Sequence, residues 1–385
     1  MPGRSRIFIA LTLLAAAAGC DTGVSTSSVA WAWAGQLNSC ATTYDRRLWC
    51  WGENEGSNVG DGTTDSRSVP TAPSGDLKDV TFVSLGGGDT CAVQGGRLLC
   101  WGESSGGDGD ILSMQSTAVP NLQAVMPDPV AAVAVASFTK CVVKVDGSAW
   151  CWGSGGGGEL GDGRAMDSGV PVAVSSLSTG VVSLLADDSG MFALKDDGSV
   201  WGWGVATGAM RGGPTQPPGS LVPVPIVRSD GSPLTGIRQI DGQGLETCAL
   251  GRDGRISCWG DVSPQLLGVD HAIDVDAGDS SAAIVEIAVS DGSVCRLDTR
   301  GAVACAGRNI NGELGDDSAG PYRPTMGPVA GLPGRALHIT AGLGHHCALV
   351  EDLTLWCWGW NDVSQLGLGD TTDRSHPARV TFQAR

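Results

Sequence analysis

The sequence predicts an all-β protein, a seven-bladed β-propeller with about four antiparallel strands per blade. Three observations predict it. A Trp-Gly step or its counterpart recurs at Trp51, Trp101, Trp152, Trp203, Trp259, Ala306 and Trp358, at spacings of 47 to 56 residues. A period near fifty without helical patterning is that of propeller blades or another repeat array. Glycine is abundant, at 59 of 385 residues, as many tight turns require.

The clearest unit is Thr247 to Gly260, TCALGRDGRISCWG. Three residues lead away from Cys248 and three return to Cys258. Between them Arg252-Asp253-Gly254 reads as a hairpin loop whose third position is left-handed, where glycine is cheapest. Gly147, Gly198, Gly254 and Gly301 stand at that position, but Arg46 and Leu353 stand there in the first and last units. Those two turns are expected to be strained or built differently. In the second unit the cysteines are one residue closer, and Gly95-Gly96 reads as a two-residue loop of the primed type.

Either loop leaves the two cysteines opposite one another, as a cross-strand disulfide requires. In the fourth unit both positions change together, to Phe192 and Gly202, which are therefore expected to face each other. The expected bonds are Cys40–Cys50, Cys91–Cys100, Cys141–Cys151, Cys248–Cys258, Cys295–Cys305 and Cys347–Cys357. Buried free thiols or a metal site are the alternatives. The short Cys-x-x-Cys spacing of zinc sites is absent, and neither a metal nor a cofactor is assigned. Disulfides imply an oxidising compartment. Of thirteen cysteines, Cys20 is left over.

Residues 1–19 read as a bacterial export signal. Arg4 and Arg6 precede the apolar stretch Ile7 to Ala18, which is short for a membrane span. Ala17-Ala18-Gly19-Cys20 resembles the lipobox of bacterial lipoproteins. That resemblance implies cleavage before Cys20, a lipid on its thiol and acylation of the new amino group. An ordinary cleaved signal is the alternative. Residues 20–28 then form the lipidated cysteine and a polar tether, and residues 29–385 the propeller. The expected location is the bacterial cell envelope, lipid-anchored, periplasmic or at the surface. A net charge of −17 disfavours nucleic acid as a partner.

Along the chain, Val29 opens a strand with alternating Trp31 and Trp33. A polar, Gly-rich loop follows each Trp-Gly. Four read alike: Gly56 to Gly60, Gly158-Glu159-Leu160-Gly161, Gly312-Glu313-Leu314-Gly315 and Ser364-Gln365-Leu366-Gly367. A strand with proline and valine comes next, as at Val69-Pro70, Val170-Pro171 and Pro377 to Val380. Another apolar run, such as Val80 to Leu85, precedes the next hairpin. The fifth unit lacks the Gly-Glu-Leu-Gly loop, and the sixth carries Asp270 to Glu286, where no strand is placed. Trp49, Trp150, Trp201 and Trp356 join the Trp-Gly residues as core. The last strand, Ala378 to Phe382, is expected to pair into the blade of Cys40 and Cys50. N- and C-terminal strands would then close the ring within one blade.

The pattern His346-Cys347-Ala348-Leu349, Trp358-Gly359, Asn361, Gln365-Leu366-Gly367-Leu368-Gly369, Pro377 and Val380 closely resembles the repeat of the regulator of chromosome condensation family. The resemblance covers about Val29 to Phe382 and implies a seven-bladed propeller. The paired cysteines depart from the family's intracellular members. By family analogy the function is guanine-nucleotide exchange, which does not fit an exported chain. A secreted propeller of similar repeat that inhibits β-lactamase supplies the precedent of a binding module.

Asp146-Gly147-Ser148-Ala149-Trp150 and Asp197-Gly198-Ser199-Val200-Trp201 resemble the Asp-box turns of sialidase propellers. They coincide with the hairpin loops, and turn chemistry accounts for them. The acidic loops Asp61 to Asp65, Asp108 to Asp110, Asp162 to Asp167 and Asp370 to Asp373 read as solvated turns. Ca²⁺ is the alternative, without a matching loop spacing. His345-His346 is read as structural. No nucleophile-elbow triad is present, and no catalytic residue is assigned. The two longest connections, Glu103 to Met126 and Val205 to Val227, carry Ile111, Leu112, Met114, Met210 and Leu221. These are costly to expose without a use, and at least one connection is expected at the rim of a ligand-binding face. The reading is a module that binds a protein or glycan. An enzyme acting on envelope polysaccharide is the alternative, and convergent carboxylates in the central funnel would favour it.

Overall fold

The computed structural model describes residues 27–75, 77–103, 115–120, 129–187, 190–204, 219–261, 268–275, 282–318 and 320–382. Residues 1–26, with Cys20 and the stretches read as export signal and most of the tether, lie outside them. The described residues form seven four-stranded antiparallel sheets. Each sheet takes four consecutive strands in chain order, because each strand pairs with the one its short turn returns to.

Blade 1 is β1 (Val29–Ala34), β2 (Asn38–Thr43), β3 (Leu48–Gly52) and β4 (Arg67–Thr71). Blade 2 is β5 (Val80–Leu85), β6 (Asp89–Gln94), β7 (Arg97–Gly102) and β8 (Gln115–Pro120). Blade 3 is β9 (Val130–Val135), β10 (Thr139–Lys144), β11 (Ala149–Gly153) and β12 (Ser168–Ala173). Blade 4 is β13 (Val181–Asp187), β14 (Gly190–Lys195), β15 (Val200–Gly204) and β16 (Ser220–Pro225). Blade 5 is β17 (Ile237–Gln243), β18 (Glu246–Gly251), β19 (Ile256–Asp261) and β20 (Gly268–Val275). Blade 6 is β21 (Ile284–Ser290), β22 (Ser293–Asp298), β23 (Val303–Arg308) and β24 (Tyr322–Pro328). Blade 7 is β25 (Ala336–Gly342), β26 (His345–Val350), β27 (Leu355–Gly359) and β28 (Arg374–Arg379).

The first strand of each blade packs against the first strand of the next, from β1 through β5, β9, β13, β17 and β21 to β25, and β25 returns to β1. The chain is thus a seven-bladed β-propeller with first strands innermost. Antiparallel order sends the turns after first strands and the loops after third strands to one side of the ring, the loop face. The turns after second strands and the linkers between blades lie on the other, the turn face.

The central hairpins follow the expected register. Each cysteine pair is directly opposed, with Cα atoms 4.0 to 4.1 Å apart, and the structure joins all six pairs as disulfides. Phe192 faces Gly202. Gly95 and Gly96 have φ of 58° and 82°, the left-handed pair of a primed turn. Arg46 and Leu353 are forced into the left-handed region, with φ of 73° and 64°. Their turns keep the glycine geometry and carry its strain. Six disulfides fit folding in an oxidising, extracytoplasmic environment.

The outer strands resolve what the repeat left open. β8 and β16 lie inside the two connections expected to be long, which shortens both. β20 and β21 occupy the stretch where no strand was placed. Outer strands shift register after the third-strand cysteine position; opposite Cys50 and Gly52 stand Thr71 and Arg67. This irregularity takes in Pro70, Pro171, Pro223 and Pro377 on edges that need no further N–H donor.

Ring closure corrects one expectation. Among the described residues no strand is shared between the termini. β28 pairs with β27 of its own blade, Ala378 opposite Cys357 and Arg379 opposite Trp356. Blade 1 already has four strands, because β4 returns to β3 rather than joining the next blade. Beyond β28, Val380 and Phe382 do reach blade 1, as side chains. Phe382 sets its ring edge-on to Trp49 and Trp51, at 6.2 and 5.9 Å between centroids.

Candidate functional site

The Trp-Gly tryptophans and the Gly-rich loops form one device. Four of the six indoles reach the loop of the preceding blade. Nε1 of Trp101 donates to the Asn58 carbonyl at 2.8 Å and Nε1 of Trp203 to that of Glu159 at 2.8 Å. Trp358 donates to Glu313 and Trp51 to Gln365, both at 2.9 Å. Val59, Leu160, Leu314 and Leu366 sink fully into these junctions. Gly315, with φ of 67°, lies against the Trp358 ring, where a side chain fits neither backbone nor space. Blade 5 lacks the loop motif, and Ala306 in blade 6 is where the tryptophan is missing. Both halves of that contact are absent together.

The loop carboxylates are largely engaged within their loops. Asn54 Oδ1 accepts from the Val59 N–H at 2.8 Å, and Asn361 does the same for Leu366 at 2.9 Å. Asp61 pairs with Arg67 at 2.5 Å, Asp370 with Arg374 at 2.7 Å, and Asp316 with Arg323. Burial acts to raise the Asp61 pKa, but hydrogen bonds from Thr63 and Arg67 outweigh it and hold the group below the usual range. On the turn face, Asp146 Oδ1 accepts from both the backbone N–H and the hydroxyl of Ser148, whose oxygen accepts from Trp150 Nε1 at 3.0 Å. Asp197, Ser199 and Trp201 repeat this chain. The Asp-box resemblance is thus a turn that anchors a tryptophan.

Asp241 and Glu286 are carboxylates on neighbouring inner strands, β17 and β21. Both bind the next blade. Asp241 Oδ2 accepts from the Val289 N–H at 2.7 Å, and Glu286 Oε2 from the Ile339 N–H at 3.1 Å. Inner strands have one unpaired edge, and these side chains satisfy it. Gln239 does so as a neutral clasp, meeting both N–H and C=O of Ile287. Burial, with the Glu286 charge, pushes Asp241 up to about 7.

Glu286 Oε1 also lies 2.7 Å from His338 Nδ1, and His338 Nε2 donates to the Ala32 carbonyl at 3.0 Å. The His338 ring stacks on Trp31 at 3.9 Å. Burial disfavours the charged ring, but the Glu286 charge and hydrogen bond prevail and raise its pKa. This clasp spans blades 6, 7 and 1. Sequence reasoning missed it; the available signal was polar residues inside apolar inner strands. Asp241 and Glu286 are therefore occupied as seam ligands, and the enzyme alternative gains no convergent free pair from them.

Other buried polar groups also lie at seams. His345 Nε2–H donates to Ser39 Oγ at 3.0 Å, and His346 Nε2 lies 2.9 Å from Ser293 Oγ. Burial pushes His345 down to about 4, and burial with the His345 charge pushes His346 to about 3. Glu246 Oε2 accepts from the Gly292 N–H at 3.2 Å, and burial with the Asp291 charge raises Glu246 to about 8. Glu246 lies beside Cys248 and Cys258, but their sulfurs are bonded to each other and offer no thiolate.

The candidate surface is the loop face around blades 3 and 4. Phe138, in the turn after β9, is 55% exposed, and Met166, in the loop 154–167, is 66% exposed. Leu221, at the start of β16, is 40% exposed, and its carbonyl accepts from the Gly163 N–H of that loop at 2.9 Å. Leu221 is thus a strand residue on a blade edge, not a loop residue. Ile111, Leu112, Met114 and Met210 lie outside the described residues. Their connections leave β7 and β15 and return to β8 and β16, on either side of blade 3, at the loop face. A cleft of about 520 Å³ opens on the same face between blades 6 and 7, lined by Ile310, Asn311, Asp373 and Ser375 among others.

Comparison with known proteins agrees with this architecture. Residues 337–365 and 354–385 match models of the regulator of chromosome condensation (RCC1) repeat. The ultraviolet-B receptor UVR8 of Arabidopsis thaliana is 39% identical over 102 residues, 26% of this chain and 22% of that protein. The mitochondrial RCC1 domain-containing protein RUG3 of the same plant is 29% identical over 236 residues, 59% of this chain and 52% of that protein. The chain spans about half or less of the length of these curated relatives. Among solved structures, Prp20p of Saccharomyces cerevisiae superposes with a TM-score of 0.72 at 19% identity, over 93% of this chain and 87% of that one. Human WBSCR16 gives 0.74 at 19% identity, over 87% and 95%. Repeat and ring together show a seven-bladed β-propeller that carries the RCC1 repeat.

Proposed function

We propose that this chain is a lipid-anchored, extracytoplasmic binding module whose loop face takes a protein or a glycan. One observation carries the choice of face. Phe138, Met166 and Leu221 are exposed around a single loop, 154–167, between the points where the connections after β7 and β15 emerge. The scaffold underneath is rigid, because the tryptophan clamps and disulfides tie each loop to a blade, while surface side chains can vary at little cost. An exposed apolar group in a polar rim is the usual anchor of a recognition surface. Anchoring is supported by the lipobox-like Cys20 and by the six disulfides, which leave that cysteine without a partner.

Affinity capture from intact cells, followed by mass spectrometry, identifies the partner. Phe138→Ser with Met166→Ser, and Gly/Ser replacement of 104–114 or 205–218, should each weaken its binding at least about tenfold, the loss of one anchor contact. Unchanged affinity in all the folded variants rejects the assignment of this face. Cys20→Ser should release the protein from the membrane fraction or block its processing.

A further inference from the structure

We propose that the anchored ring stands with its turn face on the bilayer and its loop face directed away from it. The proposal rests on the lipid-anchor reading above and adds an orientation to it.

The chain enters the propeller on the turn face. The Tyr44 N–H donates to the Ser28 carbonyl at 2.9 Å, and the Val29 N–H donates to the Leu353 carbonyl at 2.8 Å. Tyr44 and Leu353 both belong to turns after second strands, in blades 1 and 7. The point of entry is also central, because β1 is an innermost strand.

The tether is too short to bring the opposite face to the lipid. Nine residues, the length of 20–28, reach at most about 30 Å when fully extended. Reaching the loop-face plane requires crossing a blade and climbing its height. Four strands set about 4.8 Å apart make a blade roughly 14 Å wide, and six residues make it roughly 20 Å tall. That path of about 34 Å exceeds even the extended tether. A tether of that reach keeps the turn face beside the headgroups.

Charge acts in the same direction. The four loops 53–66, 154–167, 309–321 and 360–373 hold thirteen Asp or Glu and one basic residue, Arg164. The seven turns and the linkers between blades on the opposite face hold thirteen acids and eight basic residues. Of the loop acids, Asp61, Asp316 and Asp370 are paired with arginines. An anionic leaflet therefore repels the loop face more than the turn face, within a Debye length of about 8 Å at physiological salt. The surface assigned to binding is left free for a partner outside the membrane.

Blade 3 offers a matched pair of probes. Val145 on the turn face is 65% exposed and Met166 on the loop face 66%. The full-length lipidated protein is prepared as Val145→Cys or Met166→Cys, labelled with a fluorophore, and placed in vesicles carrying a nitroxide on the lipid headgroup. The label at residue 145 should be quenched several-fold more than the label at residue 166, in melting-competent samples of both. Equal quenching, or stronger quenching at residue 166, overturns the orientation. Flotation of the unlabelled protein with the vesicles separates the two claims. Protein that floats but shows the wrong ratio defeats the orientation alone; protein that does not float defeats the anchor and the orientation with it.

Discussion

Within a blade the chain repeats one solution; between blades it improvises. In every described central hairpin the two cysteine positions face each other, and in four of the seven blades the Trp-Gly tryptophan clamps the loop of the preceding blade. The seams differ one by one. Between blades 5 and 6 the clasps are Gln239, Asp241 and the buried acid Glu246. Between blades 7 and 1 they are His338, His345 and the tail at Phe382. A hairpin fixes its partner by local spacing, so one pattern suffices. A seam joins residues about fifty positions apart, and any side chain that satisfies an open strand edge will serve.

The largest expected effect lies at the seam between blades 5 and 6. The folded pKa of Glu246, about 8, lies above its ordinary value of 4.5. Stability from the protonated acid is therefore complete below pH 4.5 and is lost as pH rises through about 8. Glu246→Gln keeps the neutral shape, so it should match the wild type near pH 4 and exceed it by about 4 kcal/mol near pH 8, at about 1.4 kcal/mol per pH unit. Urea unfolding at the two pH values reads this directly. His345 and His346 act with the opposite sign, because their folded pKa values are depressed. Their contribution is present above pH 6.5 and is lost as pH falls towards 4 and 3.

This division explains what the sequence made legible. The cysteine pairs, the Phe192–Gly202 exchange and the turn glycines were readable, because each is local and recurs. The loss of Trp at Ala306 and of the loop in blade 5 were both visible. Their link was not, since they sit in different repeats and meet only across a seam. The same cause lies behind the misread closure. The pattern Pro377 to Val380 announced a strand but could not say whether its partner was β27, one loop away, or β2 or β3 at the other end of the chain. Side-chain contacts and isolated backbone bonds such as Val29 to Leu353, not strand exchange, close the ring. Asp241, Glu286 and His338 carried no readable spacing at all. On the candidate face, Phe138 and Met166 were missed because single apolar residues in polar loops are common.

Truncating the closing contact should produce the next largest change. Phe382→Ala removes the ring set against Trp49 and Trp51, and should cost about 3 to 5 kcal/mol, as for a large core side chain. A loss below about 1 kcal/mol would mean the seam does not depend on the tail. The smallest effect sharpens the hairpin side of the comparison. Leu353→Gly relieves a left-handed residue at φ of 64° and should raise stability by about 1 kcal/mol. A lower melting temperature would show that the leucine side chain matters more than the turn strain.

Six of the seven blades are stapled within themselves, and the proposed anchor requires Cys20 to stand apart from them. Non-reducing peptide mapping by mass spectrometry tests both parts together. The expected result is six bonds, each joining the two cysteines of one hairpin, with Cys20 at the mature amino terminus and bearing acyl chains. A bond between different blades, or Cys20 within a disulfide, would contradict it.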